Sequence, residues 1–170
     1  QPGQADSDLS VTVWQLMALR AAKNAGLEVP TKSIEQGVQY VRNCYYSRYK
    51  DGKPIEENRG FGYEAGGGHK FSTTAEGLLS MQVCGQYEAP EVIGASNYLL
   101  KNGPRWGDEW FFYGTYYYAQ GMAQRGGEYA STSKQVTAKE MLKRQARDGS
   151  WKSGEGHGAG AIYSTSLTNS

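Results

Sequence analysis

The chain is poor in the residues that build many common sites. Its 170 residues include only two cysteines, Cys44 and Cys84, and two histidines, His69 and His157. Two cysteines are too few for a disulfide scaffold and fit no paired zinc spacing, so they read as buried thiols. No run approaches the roughly 18 consecutive apolar residues of a membrane span, and no leader-peptide pattern is present. Charge of one sign is lacking too. Eighteen basic residues against seventeen acidic ones leave +1, scattered rather than striped, which argues against a nucleic-acid partner. Runs of alternating β-branched residues do not occur, so strands are not expected.

What the chain does have is glycine, 23 residues, and aromatic side chains at 12%, with 13 tyrosines. That much apolar ring surface opposes disorder and fits one folded domain spanning 1–170. A divergent repeat runs through it. Gly60-Phe-Gly-Tyr63-Glu-Ala-Gly66-Gly-Gly68-His69 aligns without gaps on Asp148-Gly-Ser-Trp151-Lys-Ser-Gly154-Glu-Gly156-His157. An aromatic residue and hydroxyls follow each histidine: Phe71-Ser-Thr-Thr74 and Tyr163-Ser-Thr-Ser166. Leu9-Ser-Val-Thr12 and Tyr113-Gly-Thr115 open similarly.

A helix-like run follows each of the first three hydroxyl clusters. Val13 to Ala22 is apolar on nearly every side, the mark of a helix buried all round. Ala75 to Val83 and Tyr116 to Ala123 are shorter and stop near Gly85 and Gly126, where left-handed caps are expected. Thr73-x-x-Glu76 reads as a capping box. A second helix type alternates with the first: Ile34, Val38, Val41 and Tyr45 make one apolar stripe after Ser33-x-x-Gln36. Val92, Ala95 and Leu99 make a weaker stripe, as do Val136 and Leu142 after Thr132-x-x-Gln135. Residues 46–70 form the longest stretch without helical periodicity. The expected class is all-α, a partial α/α toroid with buried inner helices and amphipathic outer ones. Both ends interrupt the repeat, so the chain reads as part of a larger ring or as half of one completed by a second copy.

Two patterns resemble a known family. Leu142-x-x-Gln145-x-x-x-Gly149-x-Trp151 is similar to the QW motif of squalene–hopene cyclase and oxidosqualene cyclase repeats. Asp8 to Leu19, with Gly26 to Pro30, resembles bacterial proteins with prenyltransferase and squalene-oxidase repeats. The resemblance covers most of the chain and implies the α/α toroid of the terpenoid cyclase and protein prenyltransferase superfamily. Gln145, Gly149 and Trp151 take a structural role. The glutamine is expected to satisfy free backbone groups at a neighbouring helix end, and the indole to pack over the junction.

The family's chemistry is harder to place. Its alkene-protonating motif, Asp-x-Asp-Asp-Thr, falls on Asp8-Leu-Ser10-Val11-Thr12, where Ser10 replaces the central acid. The Asp-x-Cys zinc pair is missing before both Cys44 and Cys84, so no metal and no cofactor is implied. Asp8, His69 and His157 are the weak catalytic candidates: a helix-start carboxylate, and imidazoles that titrate near neutral pH. The densest aromatic set supplies Trp106, Trp110, Tyr113 and Tyr117 as a ligand-binding wall. The leading expectation is a non-catalytic binding or assembly module for an apolar, isoprenoid or peptide ligand. Alternatives are part of an isoprenoid cyclase or prenyltransferase with its catalytic residues outside this chain, and a carbohydrate-active or carbohydrate-binding toroid.

Overall fold

The computed structural model describes residues 8–55, 58–151 and 164–166, and these are predominantly helical. Six long helices follow one another: α1 (Leu9–Asn24), α2 (Thr31–Asn43), α3 (Phe71–Val83), α4 (Pro90–Lys101), α5 (Phe111–Arg125) and α6 (Gly127–Leu142). The all-α class holds. Between α2 and α3 lies a small exception, an antiparallel hairpin of β1 (Tyr49–Lys50) and β2 (Lys53–Pro54). Asp51 and Gly52 both adopt positive φ at its tip, the turn that matches strand twist. That Asp-Gly pair is the strand signal missed in the sequence.

Helix α3 is the centre of the packing. Helices α1 and α5 lie against it, α4 packs back on it, and α2 and α6 pack on α1 and α5. Every residue of α3 from Ser72 to Gln82 is buried. Several of its polar side chains are accommodated by hydrogen bonds. Thr73 donates to the Phe61 carbonyl at 2.7 Å, and Gln82 reaches the Gly121 carbonyl of α5 at 2.9 Å.

Helix α1 departs from the expectation of burial all round. Leu9, Val13 and Leu16 are buried, whereas Val11 and Trp14 are exposed. Only one side of α1 has α2 and α3 against it, and apolar composition cannot bury a face that no element covers. The α2 stripe is as expected, with Ile34, Val38, Val41 and Tyr45 all buried, and so are Val92, Ala95 and Leu99 of α4. On α6 the expected stripe holds only in part, with Val136 half-buried. Ser133 and Met141 are the buried positions, and Leu142 is exposed.

Helix starts also differ from the sequence reading. Helix α3 begins at Phe71, so Thr73 lies inside its first turn, where its hydroxyl accepts from the Lys70 N–H at 3.2 Å. Helix α2 begins at Thr31 after Pro30, and Ser33 gives its backbone N–H to the Pro30 carbonyl rather than capping. Helix α6 begins at Gly127, which leaves Thr132 mid-helix. Gly85 and Gly126 do take positive φ at helix ends. After α3, Gln86 closes the cap by donating to the Met81 carbonyl, a bond that needs the left-handed residue between them.

The buried apolar residues fall into a main core running from α1 to α5 and a smaller cluster of Phe111, Phe112, Met141 and Trp151. Trp151 donates its indole N–H to the Met141 carbonyl at 2.9 Å, fastening the loop to the end of α6. Gln145 acts more locally than expected. Its amide donates to the Gly149 carbonyl in its own turn at 3.0 Å, not to a neighbouring helix end. The repeat register shifts as well. Trp151 gives its backbone N–H to Thr165, and Phe61 gives its own to Thr74. Phe61, fully buried, is thus the counterpart of Trp151, while Tyr63 is exposed. Cys44 and Cys84 are free thiols, buried and half-buried, and burial pushes Cys44 up to about 11.

Candidate functional site

Helices α1, α3 and α5 begin in related ways. In each, a threonine hydroxyl bonds back to the carbonyl four residues earlier: Thr12 to Asp8 at 2.8 Å, Thr74 to Lys70 at 2.6 Å, and Thr115 to Phe111 at 2.6 Å. Taking these threonines as equivalent puts Ser10, Ser72 and Tyr113 two residues before them. Trp14, Glu76 and Tyr117 stand two residues after. Positions four apart share a helix face. All six of these side chains line one cleft of about 700 Å³.

Trp110, Tyr116 and Tyr63 extend the aromatic wall. Trp110 is the residue before α5 and sits in the left-handed region, φ 62° and ψ 33°. A bulky residue there is strained. The strained residue is one that walls the cleft. Across from it, the Trp14 indole N–H lies 3.1 Å from the Tyr113 hydroxyl and 2.9 Å from that of Tyr117. The two tyrosine rings meet edge to face at 4.9 Å.

Glu76 is the buried acid of this cleft. It is the only charged residue of α3 and is 1% exposed. Burial raises its carboxyl to about 7, and Asp8 adds to the rise, while hydrogen bonds from the Ser10 and Tyr113 hydroxyls oppose it. Its Oε2 has no hydrogen-bond partner. Among the described residues no ion pair involves Glu76. Tyr113 is pushed upward by its own burial and then by the charge of Glu76. Lys70, also on the cleft, directs its ammonium to Glu109 at 3.4 Å.

The sequence candidates separate in space. Trp110, Tyr113 and Tyr117 line the cleft. Trp106 does not; it packs edge-on against Phe111 and Phe112 in the small cluster with Trp151. Asp8 caps α1 by accepting the Val11 N–H at 2.8 Å, and its hydrogen bond with the Tyr63 hydroxyl raises that phenol. His69 lies apart from the cleft lining, edge-on to Tyr98 at 4.9 Å, and burial lowers its pKa. His157 lies outside the described residues. Among the described residues no group of three or more His, Cys, Asp or Glu is placed to hold a metal ion.

No family model, curated protein or solved structure matches the chain. The site therefore rests on its own geometry. Glu76 was missed as a site residue because it was read as half of a capping box. The usable signal was its place two residues after Thr74, matching Trp14 after Thr12 and Tyr117 after Thr115. A more open hollow of about 880 Å³ lies beside the hairpin. Its Arg42 is held by Glu91 at 3.4 Å and by Gln86 at 3.2 Å, which leaves that guanidinium occupied.

Proposed function

We propose that this chain is a repeat module of a partial α/α toroid, similar to the terpenoid cyclase and protein prenyltransferase superfamily, that binds an apolar ligand and does not transform it. In this reading α1, α3 and α5 are the inner helices and α2, α4 and α6 the outer ones. The observation that carries it is the shared cleft, to which three helices with the same threonine bond near their starts each send two side chains. Its size falls in the range of small-molecule sites, roughly 300–1,000 Å³, and aromatic walls with a few polar groups are the usual lining. An isoprenoid chain suits such walls.

The acid chemistry points away from cyclisation. Protonating an alkene needs a carboxylic acid of unusual strength. Ser10 stands where the family's acid would be, and Glu76, raised to about 7, is weakened rather than strengthened. The exposed Val11 of α1 offers a surface where further repeats or a second copy would pack.

The test is binding beside turnover. A linear isoprenoid alcohol should quench the indole fluorescence of the purified chain, and Tyr117→Ala should weaken that response. Squalene and a prenyl diphosphate should be recovered unchanged. Conversion of either substrate, or no response to the alcohol, overturns the reading.

A further inference from the structure

We propose that the cleft recognises an organic cation, with an alkylated ammonium group held by the rings of Trp14, Trp110, Tyr113 and Tyr117 and its charge answered by the buried Glu76 carboxyl. The inference rests on the reading of the cleft as a ligand site and names the class of group it takes.

Three features of the cleft lead to it. Glu76 is buried and carries an oxygen without a partner. A carboxyl in such a place is costly unless something compensates its charge. The cations of the described chain do not supply that charge. Lys70, the basic residue on the lining, reaches instead to Glu109 on the exposed side. A proton answers the acid when no ligand is bound, and a bound cation would take that proton's place.

The walls suit the same group. Indole and phenol faces attract alkylated ammonium ions through the ring quadrupole, and tryptophan does so best. Two indoles and several phenols line the cleft that Glu76 borders. An ammonium with apolar substituents satisfies both the rings and the acid. A bare metal ion would leave the rings without a role.

The groups facing Glu76 are consistent with a cation. At the start of α1 stand the Asp8 carboxyl and the Ser10 hydroxyl; from the loop before α3 comes the Tyr63 hydroxyl; and from α5 come the hydroxyls of Tyr113 and Tyr117. Asp8 repels a second negative charge. The helix N-termini oppose a cation, but that effect fades beyond the first turn, and Glu76 lies in the second turn of α3. The Asp8 side chain already answers the start of α1.

Ionisation of Glu76 adds a signature. A bound cation favours the carboxylate, so binding near neutral pH releases a proton to the buffer. With the carboxyl at about 7, affinity should tighten about tenfold between about pH 6 and about pH 8. A neutral ligand that accepts a hydrogen bond from protonated Glu76 would show the opposite trend.

The experiment is calorimetric titration of the full chain with hexyltrimethylammonium and with its uncharged tert-butyl isostere, at both pH values. The cation should bind at least about tenfold tighter than the isostere, and tighter at the higher pH. Glu76→Gln should remove the preference and the pH dependence. Proton release, read from the heat in two buffers of different ionisation enthalpy, gives the same answer on the unmodified chain. Equal or better binding of the isostere, or affinity that falls with pH, overturns the cation and leaves the apolar cleft standing. Silence from the ammonium, the isostere and the isoprenoid alcohol overturns both.

Discussion

The Trp14 indole donates its N–H to the Tyr117 hydroxyl at 2.9 Å, joining α1 to α5 across 103 residues of sequence. Both residues stand two places after a threonine that bonds back to the start of its helix. Glu76 stands at the same distance after Thr74 on α3, and all three side chains line the cleft.

Glu76 should make stability depend on pH in a definite direction. Its carboxyl moves from the usual 4.5 to about 7 on folding, so the folded chain keeps a proton that the unfolded chain has released. The contribution is complete below about pH 4.5 and is lost as pH rises through about 7, a change on the order of 3 kcal/mol. Urea denaturation at about pH 5 and about pH 8 should show this loss in the native chain, with a flatter response in Glu76→Gln. Equal pH slopes in the two would refute the burial argument.

Trp151→Ala should cost about 3–5 kcal/mol, the usual penalty for emptying a large buried aromatic site. Trp151 is nearly enclosed by Phe111, Phe112 and Met141, and the change also removes one of the hydrogen bonds on the Met141 carbonyl, which keeps the Arg144 N–H. Denaturant melts give the value. A loss within about 0.5 kcal/mol would mean that the indole is no clasp.

Trp110→Gly separates strain from recognition. Glycine adopts the left-handed conformation freely, which returns about 1 kcal/mol and offsets part of the lost ring packing. Stability should therefore stay within about 1 kcal/mol of the native chain, while ligand-induced quenching falls. Thermal melts and titration of the same sample check both halves.

Gly77→Ala probes how closely the loop approaches α3. A methyl group at position 77 would run into the Phe61 ring, which is fully buried and cannot swing away. Overpacking of this kind costs about 1–3 kcal/mol. A drop in the denaturation midpoint is expected, with relief in Gly77→Ala combined with Phe61→Leu.

Much of the fold was legible because it depends on neighbours in sequence. The stripe of Ile34, Val38 and Val41 identifies a helix face from spacing alone, and Gly85 ends α3 through its own backbone freedom. Helix starts were less legible. Thr73-x-x-Glu76 reads as a capping box, yet the Thr73 hydroxyl serves the Lys70 N–H and the Phe61 carbonyl, and Phe61 lies a loop away. Trp106 and Trp110 looked alike in one aromatic cluster. The turn at Gly107–Trp110 sends the first into the clasp around Trp151 and leaves the second on the cleft.

The chain's pattern of apolar spacing, glycine stops and hydroxyl clusters determined that it is helical and repetitive, since those features act over a few residues. Tertiary structure alone decided that Glu76 is a buried acid and Val11 an exposed apolar residue. Burial depends on which segments meet in space: α1 and α5 converge beside Glu76, while nothing among the described residues covers the outer side of α1.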